Sequence, residues 1–393
     1  MKSRTSASFR AVAQSSHIVQ EYQAPSLQTA APSTILWWIR KLGYYALTRP
    51  QPVADDWIIL LDHTVQLGAE KLLVVMGLRE RTIDFTRPLR YEDVVPLWMR
   101  ASASWNGAFL HDLLVRLQHR LGRIKYAVGD YGSDIRKGLR LVGIPHVHDL
   151  THRIALTLKT LYADDATYRD VAQRLAQIRQ RFGLTVAGHL LPPNQRTKSR
   201  YHNLQPLAEY GRQIIAYLER TEPGVSGDDA FRDAMAWILP YHAFFLEMDD
   251  VTRAVAEVER VLKWHGLSTE TIELCGQRLA DVATEKGYHF KFDMLVYCHV
   301  MLALPRIGER ILCTSDILES AFGKYKNYVS CNAMAGITDL ALCIAAFTCS
   351  LTLEEITEAL EAVREQDVLQ WGQIFLGTPL LRKRRQAFQE SPK

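Results

Sequence analysis

The chain has 393 residues and a mass of 44.8 kDa, with 48% hydrophobic and 23% charged residues. Values in this range exclude a small disulfide-stapled scaffold, a collagen-like repeat and wholesale disorder. A net charge of +4 favours a polyanionic partner only weakly, so the placement of basic residues matters more than their sum. All six cysteines (Cys275, Cys298, Cys313, Cys331, Cys343, Cys349) fall in the last third without a C-x-x-C pair, which reads as buried, reduced thiols. The start of the chain carries no apolar signal core, and no uncharged run reaches the roughly 18 residues of a membrane span, so a cytoplasmic protein without a membrane partner is expected.

Residues 1–48 read as a small helical, basic region. One helix is expected over Phe9 to Tyr22 and a second over Ile35 to Leu42 with Ser33 as its N-cap, a pair that resembles a helix-turn-helix. Thr48-Arg49-Pro50-Gln51-Pro52 follows as a stiff linker, since each proline disfavours helix in the residue before it.

From Trp57 the period changes. Trp57 to Asp62 and Lys71 to Leu78 are apolar runs separated by a turn at Gly68, the pattern of a central hairpin. A third strand is expected near Thr82 to Leu89, then a helix over Asn106 to Leu121, a strand from Ile124 ending at Gly129-Asp130, a helix over Ile135 to Val142 and a strand from Ile144 ending at Asp149. The order βββαβαβα resembles the ribonuclease-H-like α/β fold, with a mixed sheet. Helical periodicity then dominates, over 167–182, 207–219, 228–245, 251–264 and 269–283, as a large all-helical insertion. A proline-broken loop near Pro192-Pro193 carries Arg196, Lys198 and Arg200, and the chain closes on a helix opened by Thr352 with Glu355, then the basic run Arg382-Lys383-Arg384-Arg385. The expected divisions are 1–48, 55–163 for the first part of the catalytic domain, 164–305 for the insertion and 306–393 for the rest.

Three acids stand where chemistry is expected. Asp62 ends an all-apolar strand, where an unpaired charge costs several kcal/mol. Asp130 ends the fourth strand, the neighbour of the first in a ribonuclease-H-like sheet, so the two carboxylates would face each other and a divalent cation between them would relieve their repulsion. Glu319 lies on a helix expected to begin at Thr314 or Ser315 and shares a stripe with Phe322, Gly323 and Lys326. Asp149 and His152, three apart at the start of a helix, would support the site from its edge; with His146 and His148 the histidines match no common structural zinc spacing.

In that order, Asp62, Asp130, Asp149 with His152, and Glu319 after a long insertion resemble the DDE transposases with a ribonuclease-H-like catalytic domain and a [C/D]-x-x-H motif. The likeness is to hAT or Mutator-like elements or to an unclassified bacterial insertion sequence. The resemblance implies catalytic, metal-binding Asp62, Asp130 and Glu319 holding two Mg²⁺ or Mn²⁺ ions for DNA strand cleavage and transfer, and a homo-oligomer on double-stranded DNA. Hard oxygen ligands select those ions over zinc. Arg40, Lys41, Arg196, Lys198, Arg200, Lys324 and Lys326 would contact phosphates. The same acids would serve a nuclease or resolvase without strand transfer, and the fold alone would serve a domesticated, non-catalytic DNA-binding protein.

Overall fold

The computed structural model describes residues 7–23, 28–65, 68–194, 204–220, 229–305, 307–329, 334–350 and 352–389. The chain divides into two compact units, residues 1–149 with 314–393, and residues 150–313.

The first unit opens with α1 (Phe9–Gln23) and α2 (Pro32–Thr48). Helix α2 starts one residue before the expected Ser33, with Pro32 at its first position and Ala31 before it. Proline suits that position because its missing N–H would have no partner there. The five-stranded sheet comprises β1 (Ala54–Val65), β2 (Lys71–Arg79), β3 (Val95–Ser102), β4 (Gly122–Gly129) and β5 (His146–His148), with α3 (Gly107–Leu121) and α4 (Ser133–Val142) between the later strands. Its order is β3-β2-β1-β4-β5, with β1, β2 and β3 antiparallel and β4 and β5 parallel to β1. This mixed sheet with crossover helices is ribonuclease-H-like. Ile58 to Leu61 of the central strand are fully buried, as expected of a strand covered on both faces. One face packs Trp57, Ile59 and Leu61 against Leu110, Leu113, Leu114 and Leu117 of α3 and Ile135 and Leu139 of α4.

The third strand is not at 82–89. That stretch is held as a loop by Arg87, whose guanidinium reaches Asp93 through two hydrogen bonds of 2.6 and 2.7 Å and Asp84 at 3.0 Å. The strand follows it, at the sheet edge, and its Pro96 sits where the β2 to β3 register shifts, the position a sheet tolerates for a residue without an N–H.

The second unit is helical: α5 (Leu150–Tyr162), α6 (Ala166–Phe182), α7 (Gln205–Arg220), α8 (Asp229–Met235), α9 (His242–His265), α10 (Thr269–Arg278) and α11 (Glu285–Leu302). The single helix expected over 228–245 is broken into α8, a 3-10 segment containing Pro240, and the start of α9. Helix α9 is the hub, packing against α7, α10 and α11. Its buried Asp250 braces the approach to α11, one carboxylate oxygen accepting from Ala283 N (3.1 Å), Thr284 N (3.0 Å) and Thr284 Oγ1 (2.7 Å), while Thr284 caps the helix by accepting from Gly287 N.

The chain returns to the first unit as α12 (Asp316–Val329), α13 (Leu342–Ala346), α14 (Leu353–Ala362), α15 (Glu365–Phe375) and α16 (Leu380–Gln389). Helix α2 packs on α13, α14 and α15. A Cβ on Gly43 would fall 2.0 Å from the Leu342 carbonyl oxygen, so α2 and α13 meet backbone to backbone. Thr352 caps α14 by accepting from Glu355 N at 3.2 Å, and the Glu355 carboxylate accepts from Arg49 and from Ser350 Oγ. Cys275, Cys298, Cys313, Cys343 and Cys349 are free and buried; Cys331 lies outside the described residues. Among the described residues no helix is long and apolar enough to cross a membrane.

Candidate active site at the carboxyl ends of β1 and β4

The parallel β1 to β4 register runs Ile59 with Ala127, Leu60 with Val128 and Leu61 with Gly129. The next residues are two of the predicted acids: Asp130 directly follows β4, whereas Asp62 does not end its strand as expected but lies within β1, opposite Val74 of β2, because the pairing with β2 carries β1 on to Val65. A Cβ on Gly129 would stand 3.1 Å from the Leu61 carbonyl oxygen, so the absence of a side chain lets the two strands close up one residue before the acids. Strand alternation places Asp62 on the face opposite Trp57, Ile59 and Leu61. Asp62 is 7% exposed, and its Oδ1 accepts from His63 N at 2.6 Å. Asp130 is half-buried, and its Oδ1 accepts from Gly132 N at 2.8 Å.

His63 points to the other face, where its ring packs on Trp105 with centroids 5.2 Å apart and its Nε2 lies 3.4 Å from Asp134 Oδ2 without hydrogen-bond geometry. Burial holds its pKa below the ordinary histidine value against the pull of Asp134 and Asp130. Asp134 is therefore turned toward His63, which distinguishes it from Asp130. Sequence reading passed over His63; its place directly after a buried strand acid was the available signal.

Asp149, only 1% exposed, does not lie on α5, which begins at Leu150, so it does not share a helix face with His152 as expected. Its N–H donates to Gly129 O at 2.9 Å, and its Oδ2 accepts from Ser315 N (2.6 Å) and Ser315 Oγ (2.8 Å). The carboxylate thus ties the end of β5 to the residue that opens α12, and a negative charge there also suits the helix dipole. Thr314 Oγ1 completes the start by accepting from Asp316 N at 3.2 Å. His152 is half-buried on α5 of the helical unit. His146 and His148 stack edge to face at 4.6 Å, with Tyr131 4.1 Å from His148. Burial and the neighbouring His148 push the His146 pKa down to about 4.

Helix α12 packs against β1. Both Asp316 and Glu319 fall in its first turn, so Glu319 is not a full turn deeper than Asp316. Of its stripe, Phe322 is buried and Glu319, Gly323 and Lys326 are exposed. Among the described residues no group of three or more His, Cys, Asp and Glu side chains stands close enough to share one metal ion, so the three predicted ligands are not drawn together as they stand.

The basic residues divide sharply. Arg40 is largely buried, pairs with Asp339 at 2.8 Å and stacks on Trp37 at 4.9 Å. Lys41 donates to Leu360 O at 3.3 Å, so both residues fasten α2 to the C-terminal helices. Lys324 covers Tyr91, with its ammonium 4.1 Å from the ring centroid. Lys326 is exposed. Arg196, Lys198 and Arg200 lie outside the described residues.

No family model matches the chain, and no curated protein matches it. Among solved structures the chain is similar to a Drosophila P element transposase strand transfer complex, with a TM-score of 0.42, 10% identity, and coverage of 91% of this chain and 93% of that one.

Proposed function

We propose that the protein is a DDE-type DNA transposase whose catalytic acids are Asp62, Asp130 and Glu319. The observation that carries this reading is the register: Asp62 on β1 and Asp130 just past β4 each follow the last paired residues, Leu61 and Gly129, of two adjacent parallel strands in a ribonuclease-H-like sheet, and Asp62 is nearly buried. Hard carboxylate oxygens of this kind fit Mg²⁺ or Mn²⁺. Asp62 and Asp130 would form the fixed half of the ion site, and Glu319, exposed on the first turn of α12, would complete it. When bound, two such ions supply the activation of water or a 3′-hydroxyl and the stabilisation of the leaving oxygen in an in-line attack on a phosphodiester.

The chain's own residues do the rest. Asp149 and Ser315 fix where α12 begins, and with it the reach of Glu319. Burial disfavours a charge on His63 next to Asp62. Lys326, exposed two turns beyond Glu319 on α12, would meet a backbone phosphate of double-stranded DNA.

The test is nicking of a supercoiled plasmid carrying the DNA that flanks the coding region, with Mg²⁺. Wild-type protein should nick and join; Asp62→Asn, Asp130→Asn and Glu319→Gln should do neither while still binding the plasmid. Nicking without joining would assign the protein to the nucleases instead. Wild-type rates in any of the three variants would remove that residue from the site.

A further inference from the structure

In the first unit, the outer face of β3 and α3 holds a cavity of about 310 Å³ lined by Trp98, Phe109 and Phe375 and by Arg100, Arg116 and Arg120. Its volume is at the lower end for small-molecule sites, enough for one planar ring system with its substituents. The aromatic walls are set at angles: Trp98 lies 5.9 Å from Phe109 and 6.3 Å, edge on, from Phe375. Arg100 rests on the Phe109 ring at 5.0 Å. Arg120 is anchored by donating to Leu97 O at 2.7 Å. Among the described residues Arg100 and Arg116 have no ion pair, and the one acid at the rim, Asp112, is paired with His111 at 2.9 Å. Three guanidinium groups around half-buried rings are a poor way to cover a core and a good way to meet a flat, anionic ligand.

A run of rings extends from the cavity along the sheet face opposite the Asp62 side chain: Phe109 lies 5.2 Å from Trp105, and Trp105 lies 5.2 Å from His63, the residue after Asp62. We infer that this cavity is a stacking site for an unpaired nucleotide of single-stranded DNA, with the base laid against the cavity faces of Trp98 and Phe109 and the flanking phosphates on Arg100 and Arg116. The inference deepens the proposed function, since it gives a place for a single strand leading away from the candidate active site. Stacking on aromatic rings with arginine at the backbone is how single strands are held without sequence readout.

The test is fluorescence anisotropy of labelled ten-residue oligothymidylate and of a blunt duplex, with full-length protein in EDTA so that no cleavage enters. Wild-type protein should bind the oligothymidylate. Phe109→Leu, which keeps apolar volume, should weaken that binding about tenfold with little change for the duplex. Arg116→Gln changes an exposed residue, so folding is not at issue; it should lower the salt dependence of single-strand binding by somewhat less than one unit in the log–log slope. Unchanged oligothymidylate affinity and slope in folded Arg116→Gln protein would overturn the inference. So would equal losses for single strand and duplex in Phe109→Leu. Failure of the proposed function reads differently: the wild-type protein would neither bind duplex nor nick it, whatever the cavity residues.

Discussion

Both units bury aspartates, and the partners of those carboxylates differ. In the helical unit, Asp250 collects donors from residues more than thirty positions away, and Asp165 pairs with Lys286, which also holds Glu247 at 2.5 Å. Asp293 is taken by Arg153 and by Thr157. At the carboxyl end of the sheet, the hydrogen bond on Asp130 comes from a backbone N–H two residues on, and the bond shown on Asp62 from its own neighbour. Acids of the first kind hold the chain together. On those of the second kind these bonds come from the local backbone, which fixes where the carboxylates stand.

Substitution should separate the two kinds, and the largest effect should come at the sheet. Asp130→Asn is expected to abolish Mg²⁺-dependent nicking while leaving the melting temperature nearly unchanged. Calorimetric titration with Mg²⁺ on the same protein would show the loss of a binding site. In the helical unit the pattern reverses. Asp250→Ala strands buried donors at Ala283 and Thr284 and should cost about 2–4 kcal/mol of stability, read by urea unfolding, with nicking retained below the new transition.

Acidification sharpens the contrast. Burial raises the Asp250 pKa, but the bonds from Thr284 and Ala283 and the charge of Arg253 outweigh it and hold the group below the ordinary value. Its contribution is therefore present above the unfolded carboxylate pKa near 4 and is lost as the pH falls through the lower folded value. His146 acts earlier. With a folded pKa of about 4 against roughly 6.5 unfolded, the unfolded chain takes up the proton first, so stability falls from about pH 6.5 down to about 4, by about 1–3 kcal/mol. His146→Gln should flatten urea midpoints across that window, and an unaltered slope would remove His146 as its source.

Asp149 stands between the two kinds, and Ser315 probes it. Ser315→Ala removes one of the donors to a carboxylate that is 1% exposed, and is expected to cost about 1–3 kcal/mol and to slow nicking by displacing α12. Ser315→Thr keeps the hydroxyl and should restore the rate. The smallest effect is expected at Thr352, where alanine removes a helix cap worth about 1 kcal/mol far from the acids.

Much of the sheet was legible because its residues follow simple rules. The apolar runs of β1 and β2 could only be buried strands, and Asn106 accepts from Phe109 N at 3.0 Å as the cap of a helix with period-3.6 leucines. What failed depended on contacts distant in sequence. No pattern of apolar residues says that Pro96 will find the edge position that accepts it, and the Arg87 to Asp93 clasp that makes a loop of a β-like stretch leaves no mark on hydrophobic periodicity. Helix α11 was missed because apolar and polar residues alternate without a clean stripe from Glu285 to Leu302. Arg40 looked like a surface cation because its acid, Asp339, comes almost at the other end of the chain. That Asp62 and Asp130 fall at neighbouring positions on adjacent strands was readable only through strand order, whereas the contact of Asp149 needed its partner, Ser315, to be known.

That partner has a consequence for how the chain was assembled. The Asp149 carboxylate holds Ser315, and the next residue inward, Leu150, donates to Cys313 O at 2.8 Å. The departure and return of residues 150–313 are therefore clasped side by side, like the two ends of a drawstring. A segment whose ends meet in this way imposes almost no constraint on what hangs between them, because lengthening a loop adds only slowly to its closure entropy. The helical unit is in this sense a cassette. A short turn joining Asp149 to Thr314, or an unrelated domain with adjacent termini, would leave the sheet's register and the opening of α12 as they are.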